Sequence, residues 1–452
     1  MPDRQTRSVI ALLTGMFTSA SAVVALTTAL GKQVYDLTGS EFALGLLGLA
    51  EFAPNALLVL VTGTLADRYD RRLIVSISMV GQALVVAGLA WYAAGDPTSA
   101  VPIFVLVVLF GIARAFAWPA LRALPPDVVE RSRIPWLTVR GSATFQAAMI
   151  VGPVLGGFLY AADVALPYVA VAVMLVVGAV VIRLVQVHPV HATTEPADTG
   201  QIVADATLEV ATEAADGATA MTGSSGRLKE AMAGFVFIRH EPLLLGAITL
   251  DLFAVLFGGA VALLPAIAEE RLGVGAVGLG WLRAAIGIGA AAMTLWLAWR
   301  PLRRRVGPTL FVAVAAFGVG TIVLGVTTSF AVAFAALVLL SAADAISVFI
   351  RGTLVPLVTP VTMRGRVLAF EMVFIGASNE LGAFESGVAG QLLGPAAAVV
   401  LGGVGTLVIA GAWAGLFPAL RHVDRFPGLD DDAPRVEPRS PLPSVPSSSQ
   451  TE

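Results

Sequence analysis

The sequence contains no cysteine, which excludes disulfides, thiolate zinc sites and cysteine nucleophiles. Charge is also scarce. Only 13% of the 452 residues are charged, against about 25% in a soluble domain. A surface that poor in charge cannot be hydrated as a water-soluble globule, and the composition is equally unlike that of a disordered chain. Neither sign dominates: 28 Lys and Arg face 31 Asp and Glu, a net charge of −3. No basic excess is available to hold a nucleic acid, so none is expected as a partner. The four histidines, His188, His191, His240 and His422, lie near or beyond the ends of the apolar runs. There is no HExxH, no GxxxxGK[ST] phosphate loop, no Ser/His arrangement and no cluster of metal ligands. An enzyme, an ATP hydrolase and a bound cofactor or metal are therefore not expected. What the chain has instead is apolar length. With 57% hydrophobic residues, it reads as a polytopic membrane protein.

A helix crossing the apolar core of a bilayer needs about 20 mostly apolar residues. Twelve such runs are present, at 9–30, 42–66, 73–94, 100–120, 138–161, 165–187, 243–267, 274–299, 307–327, 330–357, 366–392 and 394–418. Most are separated by turn or charge signals such as GKQVYDLTGSE, AGDPTS and PLRRR. The breaks at 161–165, 328–330 and 392–394 carry almost no polar residue. Run 9–30 is too long for a cleaved signal peptide and is followed by further spans.

Basic residues set orientation. If both ends lie on one side, 23 of the 28 Lys and Arg fall on that side, only Lys32 and Arg271 on the other, and Arg114, Arg283 and Arg351 within spans. Both termini are thus expected to be cytoplasmic. The chain then divides into an N-terminal six-helix bundle (1–187), a flexible acidic cytoplasmic linker (188–226), an interfacial amphipathic helix (227–240), a C-terminal six-helix bundle (241–420) and a disordered cytoplasmic tail (421–452). The halves show weak internal similarity: PPDVVERSR before span 5 parallels TPVTMRGR before span 11, and GPVLGG in span 5 parallels GVAGQLLG in span 11. Transporters are commonly built from such repeats, with the substrate site between them.

Between spans 2 and 3 lies GTLADRYDRR, residues 63–72. From charge alone it is either a device holding one conformation or a cluster that merely obeys the positive-inside rule. In span 5, VGPVLGG (151–157) brings a helix-interrupting proline among glycines that permit close packing. The first pattern resembles the loop signature of the major facilitator superfamily, with Asp70 in place of the family's usual second glycine. The second is similar to the Gly-Pro-x-x-Gly-Gly motif of the superfamily's exporters. VYDLTGSEFALGLLGLAEFAPNALL, the Asp344–Arg351 stretch and VTPVTMRGRV resemble the branch containing enterobactin exporters and macrolide efflux proteins. The resemblance implies an all-α integral membrane fold of twelve transmembrane helices around a central cavity. It implies a conformational latch at Gly63, Asp67, Arg68, Arg71 and Arg72, and an antiporter motif at Gly152, Pro153, Gly156 and Gly157.

Ionisable residues within spans are costly and mark function by default. The acids are Glu51, Asp251, Asp344, Glu371, Glu380 and Glu385, and the bases Arg114, Arg283 and Arg351. In the resembling fold, spans 1, 4, 7 and 10 line the cavity, which selects Arg114, Asp251, Asp344 and Arg351. Glu380 follows as a further coupling candidate, whereas Arg283 reads as structural. The alternative for all of them is structural ion pairing between helices. The expected function is secondary active export of a small amphiphilic molecule, a drug or a siderophore, by alternating access. A proton would be the coupling ion, and the protein would be a monomer in the bacterial inner membrane. A facilitator or importer on the same fold is the alternative.

Overall fold

The computed structural model describes residues 4–186 and 234–427. The linker at 188–226, the first half of the expected interfacial helix and most of the expected tail lie outside the described residues. Among the described residues, twelve helices are long and apolar enough to cross a membrane. They are α1 (Arg4–Thr38), α2 (Glu41–Arg68), α3 (Arg71–Ala93), α4 (Val101–Ala123), α5 (Ile134–Ala162), α6 (Leu166–Arg183), α7 (Pro242–Phe257), α8 (Gly275–Trp299), α9 (Val306–Val326), α10 (Phe330–Val358), α11 (Arg364–Leu393) and α12 (Pro395–Leu416). Proline occupies the first turn of α4, α5, α6, α7 and α12, where its missing N–H costs nothing. The three nearly apolar breaks are real. Asp163 accepts a hydrogen bond from Ala165 N, Thr327 begins an extended turn, and Gly394 separates α11 from α12 with φ +83°, a conformation that favours glycine.

Two spans differ from the sequence reading. α1 continues to Thr38, so Lys32 and Asp36 are helical rather than in a loop. The seventh span is discontinuous. α7 stops at Phe257, Gly258 and Gly259 interrupt it, and short turns carry the chain on to Arg271. The interruption has a packing reason: a Cβ on Gly258 would collide with the Phe317 ring, and one on Gly259 with the Gly382 carbonyl of α11.

The halves pack alike. In the first half α1 packs on α5, α2 on α4, and α3 on both α4 and α6. The same pairs recur six helices later: α7 on α11, α8 on α10, and α9 on both α10 and α12. The two large contacts between the halves, α5 with α8 and α2 with α11, are related by the same shift. Each half has its own apolar core, around Leu26, Phe110 and Tyr168 in the first and around Leu279, Leu337 and Leu340 in the second. Leu57, Leu84, Val105 and Leu295 are exposed on the outside, as lipid-facing side chains must be.

Both ends of the described chain lie on one face of the bundle, here the terminal face; the opposite face is distal. At the distal face the halves are sealed together. Lys32 bridges Asp36 and, at 3.1 Å, Glu269. Tyr35 donates to Glu270, Tyr160 donates to Asp36 at 2.8 Å, and Ser40 donates to Gln391 at 2.6 Å. Beneath them the backbones of α2 and α11 touch, since a Cβ on Gly387 would stand 2.8 Å from Gly45 Cα.

At the terminal face, residues 234–240 are helical and turn their apolar side chains onto protein. Ile238 is buried and Phe235 stacks on Phe370 of α11 at 5.7 Å, while Val236 points outward. The start of the expected disordered tail is also packed: residues 421–427 lie against the second half. Gly307 N donates to Val423 O at 2.8 Å, and Phe426 is buried edge-on to Phe349 at 6.2 Å. An aromatic side chain with a pocket to fill outweighs the polar composition around it.

Candidate functional site

Residues 344, 347 and 351 share one face of α10, because they are spaced at close to one and two helical turns. That face meets α7 and α11 in a buried charge network. Arg351 Nη2 lies 2.8 Å from Asp251 Oδ1, and Nη1 lies 3.7 Å from Glu371 Oε1. Ser347 Oγ donates to the same Asp251 oxygen at 3.4 Å. The side chains of Arg351, Asp251 and Glu371 are each exposed by 9% or less. Asp344 stands one turn from Ser347 with no hydrogen bond or ion pair to any described residue, and it opens onto the central cavity.

The cavity has a volume of about 440 Å³, within the range that suits a drug-sized molecule. It lies between the halves, lined by α1, α2, α7, α8, α9, α10 and α11 and by Gly258 and Gly259 at the break after α7. This corrects the expected set of spans 1, 4, 7 and 10. Among the described residues α4 contributes no lining side chain; Arg114 instead forms an ion pair with Glu51 of α2, which does line it. The sequence left Glu51 unassigned, and its role depends on which face of α2 turns inward. Glu380 reaches the cavity from α11, with Oε2 3.0 Å from where a Cβ on Gly48 would be. Arg283 of α8, expected to be structural, also lines the cavity. Glu371 of α11, an in-span acid to which the sequence assigned no role, is joined to Arg351. Phe253 packs against Trp413 at 5.3 Å and Phe349 against Phe426, whereas the cavity wall holds Phe317 of α9.

A family model described as the Major Facilitator Superfamily matches residues 8–327. The chain belongs to the Major Facilitator Superfamily. Similar curated proteins include an enterobactin exporter of Citrobacter koseri, 24% identical over 94% of this chain and 95% of that protein. An enterobactin exporter of Escherichia coli K12 is 25% identical over 92% and 93%. Among solved structures, a POT family transporter in complex with 5-aminolevulinic acid superposes with a TM-score of 0.70 at 12% identity, covering 92% of this chain and 96% of that one. A bacterial homologue of the human lysosomal transporter Spinster gives 0.65 at 15% identity, covering 93% and 98%. This member of the Major Facilitator Superfamily is thus a multi-pass membrane transporter with the superfamily's fold.

The superfamily's loop signature is partly visible here. Gly63, Asp67 and Arg68 fall at the end of α2, and their side chains lie outside the described residues. Arg71 Nη1 donates to Asp127 Oδ2 at 2.8 Å and to Ala123 O at 3.1 Å, tying α3 to the end of α4. Arg72 donates to Asp70 Oδ2 at 2.6 Å and to Val185 O at 2.8 Å. Asp70 caps α3 by accepting from Arg72 N. Partial burial pushes the Asp70 carboxyl up, but the hydrogen bonds and charge of Arg72 outweigh it and hold it below the usual value. An acid is therefore satisfied where the superfamily usually has glycine.

The glycines of α5 serve two different partners. Gly152 and Gly156 receive α1: Cβ atoms there would lie 2.8 Å from Ser21 O and 2.6 Å from Ala25 O. Gly157 faces α8 of the other half, where a Cβ would stand 3.0 Å from Gly280 Cα. Pro153 O belongs to the same contact, 2.7 Å from the Cβ position of Gly280. Span 5 is thus the joint on which the first half meets the second. Gly157→Leu should prevent this approach at a cost of about 1–3 kcal/mol. Flux in membrane vesicles should fall at least about tenfold, with Gly157→Ala intermediate. Wild-type flux in Gly157→Leu would show that the joint does not need the close contact.

Proposed function

We propose that the protein is a secondary active exporter of a small amphiphilic molecule, driven by proton uptake through alternating access. The observation that carries this reading is Asp344, a carboxylate with no ion pair among the described residues, in a central cavity beside the buried Arg351–Asp251–Glu371 network. An intramembrane acid without a partner is costly and calls for a cation or a proton. The positive-inside bias makes the terminal face cytoplasmic, so the sealed distal face is outward. The structure then corresponds to the state that takes up substrate from the cytoplasm of a bacterial cell through its inner membrane. Substrate entering the cavity displaces a proton from Asp344. Once the halves rock about the α5–α8 and α2–α11 contacts, a proton from outside reloads the acid and the substrate leaves. Asp251 is the second carboxylate able to carry the proton. Arg351 and Arg114 hold the neighbouring acids in position, and the Arg71–Asp127 tie holds the terminal face in one conformation. The similarity to enterobactin exporters supports a siderophore or a drug of similar amphiphilic character as cargo.

Proteoliposomes with an imposed pH gradient test this, using labelled enterobactin and a labelled macrolide as probes. The gradient should drive accumulation of at least one of them by the wild type. Asp344→Asn should lose that drive while retaining exchange of internal for external probe. Flux that merely equilibrates, indifferent to the gradient, would establish a facilitator instead. Gradient-driven accumulation retained in Asp344→Asn would move the proton to another carboxylate.

A further inference from the structure

Three other arginines close to the cavity or its distal rim have hydrogen-bond or ion-pair partners, although Arg351 Nε, like that of Arg283, is buried without one. Arg351 has Asp251 and Glu371, Arg114 has Glu51, and Arg271 bonds the Val326 and Thr327 carbonyls. Arg283 differs from them. No hydrogen bond or ion pair joins it to any described residue, and its Nε is buried without a partner. Its Nη2 points at α1, 3.2 Å from where a Cβ on Gly31 would be. Glycine at 31 is what leaves the guanidinium room between α1 and α8. A guanidinium cannot shed its charge, and leaving one desolvated and unpaired is expensive.

Arg283 also occupies a depth of its own. It lies eight residues into α8, and Asp344 lies fourteen residues into α10. Both helices start at the distal face, so Asp344 is roughly 9 Å deeper. Apolar side chains, including Ile286, Leu340 and Val348, line the cavity with them. Glu51, the acid whose charge acts on Arg283 and which Arg114 already pairs, and Glu380 line it as well. The cavity therefore presents a cation toward its sealed end and acids further in, set along a largely apolar wall.

We propose that Arg283 is the anchor for an organic oxyanion on the transported molecule, a carboxylate or a group of like geometry. The guanidinium fork matches such a group with two parallel hydrogen bonds. The carboxylate seats at Arg283 against Gly31 and the apolar body lies along the wall toward Asp344. The proposal rests on the cavity being the substrate path, and it does not depend on the direction of transport or on the coupling ion.

Equilibrium binding to purified protein in lipid nanodiscs, with no gradient present, keeps the two questions separate. The probes are N-dansyl-phenylalanine and its uncharged amide, which share one aromatic body. The wild type should bind the carboxylate at least tenfold more tightly than the amide. Arg283→Gln should abolish that preference and leave the amide affinity unchanged; Arg283→Lys should keep part of it. Gly31→Ala, which crowds the guanidinium without removing charge, should weaken the carboxylate alone. Equal binding of the two probes by the wild type, no binding of the carboxylate, or a preference that survives Arg283→Gln would each overturn the assignment. Failure of gradient-driven export with this preference intact would instead refute only the coupling mechanism.

Discussion

Arg351→Leu should destabilise the protein by about 3–5 kcal/mol and abolish transport. The arginine is the single cation within salt-bridge distance of both Asp251 and Glu371 among the described residues. Removing it leaves two carboxylates facing one another behind side chains that are exposed by less than a tenth. Ser347 alone, 3.4 Å from Asp251, cannot replace a charge. The cost comes from stranding the acids rather than from losing attraction. Replacing all three charges together should therefore recover most of the stability, because a neutral buried cluster carries no such penalty. The measurement is thermal unfolding of detergent-purified protein. Arg351→Leu should unfold more than roughly 5 °C below the wild type, and the Arg351→Leu, Asp251→Asn, Glu371→Gln variant should return near it while remaining inactive. A single variant that melts with the wild type would mean that the network is hydrated and contributes little to the fold.

Locking the distal face should stop transport almost completely. The chain has no cysteine of its own, so introduced thiols are read without background. Ser40 and Gln391 belong to opposite halves and their side chains meet at 2.6 Å. Ser40→Cys with Gln391→Cys, bridged by a short bis-thiosulfonate reagent, holds α2 to the end of α11. If alternating access requires this face to open, flux in vesicles should fall by about tenfold or more, equivalent to 1.4 kcal/mol or more in an apparent barrier. Reductant should restore it, and neither single cysteine variant should respond to the reagent. Undiminished flux with the bridge in place, confirmed by an electrophoretic shift after proteolysis between the halves, would show that this face does not part during transport. The surrounding contacts give the same region its strength: Lys32 with Glu269, Tyr35 with Glu270, and the backbone approach at Gly45 and Gly387.

The twelve spans were legible in the sequence, because each is a run of apolar residues long enough for a bilayer and is punctuated by charge, proline or glycine. The interruption of the seventh span was not, although Gly258 and Gly259 were there to be seen. Paired glycines are common in membrane helices, and only the ring of Phe317 and the backbone of α11 make them a break. The face of α10 that carries Asp344, Ser347 and Arg351 follows from helical spacing alone. That Arg351 is shared by Asp251 and Glu371, from helices far away in the sequence, does not.

By itself, then, the sequence determined the number of membrane spans, the bias of basic residues to one face and the presence of nine costly charges within the spans. These are properties of single segments, set by hydropathy and by spacing along one helix. Which of those charges are paired and which stand open was decided only by tertiary structure. Arg114 is neutralised by Glu51, and Arg351 by Asp251 and Glu371, while Asp344 and Arg283 face the cavity with no hydrogen bond or ion pair to any described residue. Pairing depends on which faces of separate helices meet. The close contacts of α5 with α8 and of α2 with α11, permitted by glycine at 157, 280, 45 and 387, fix those faces.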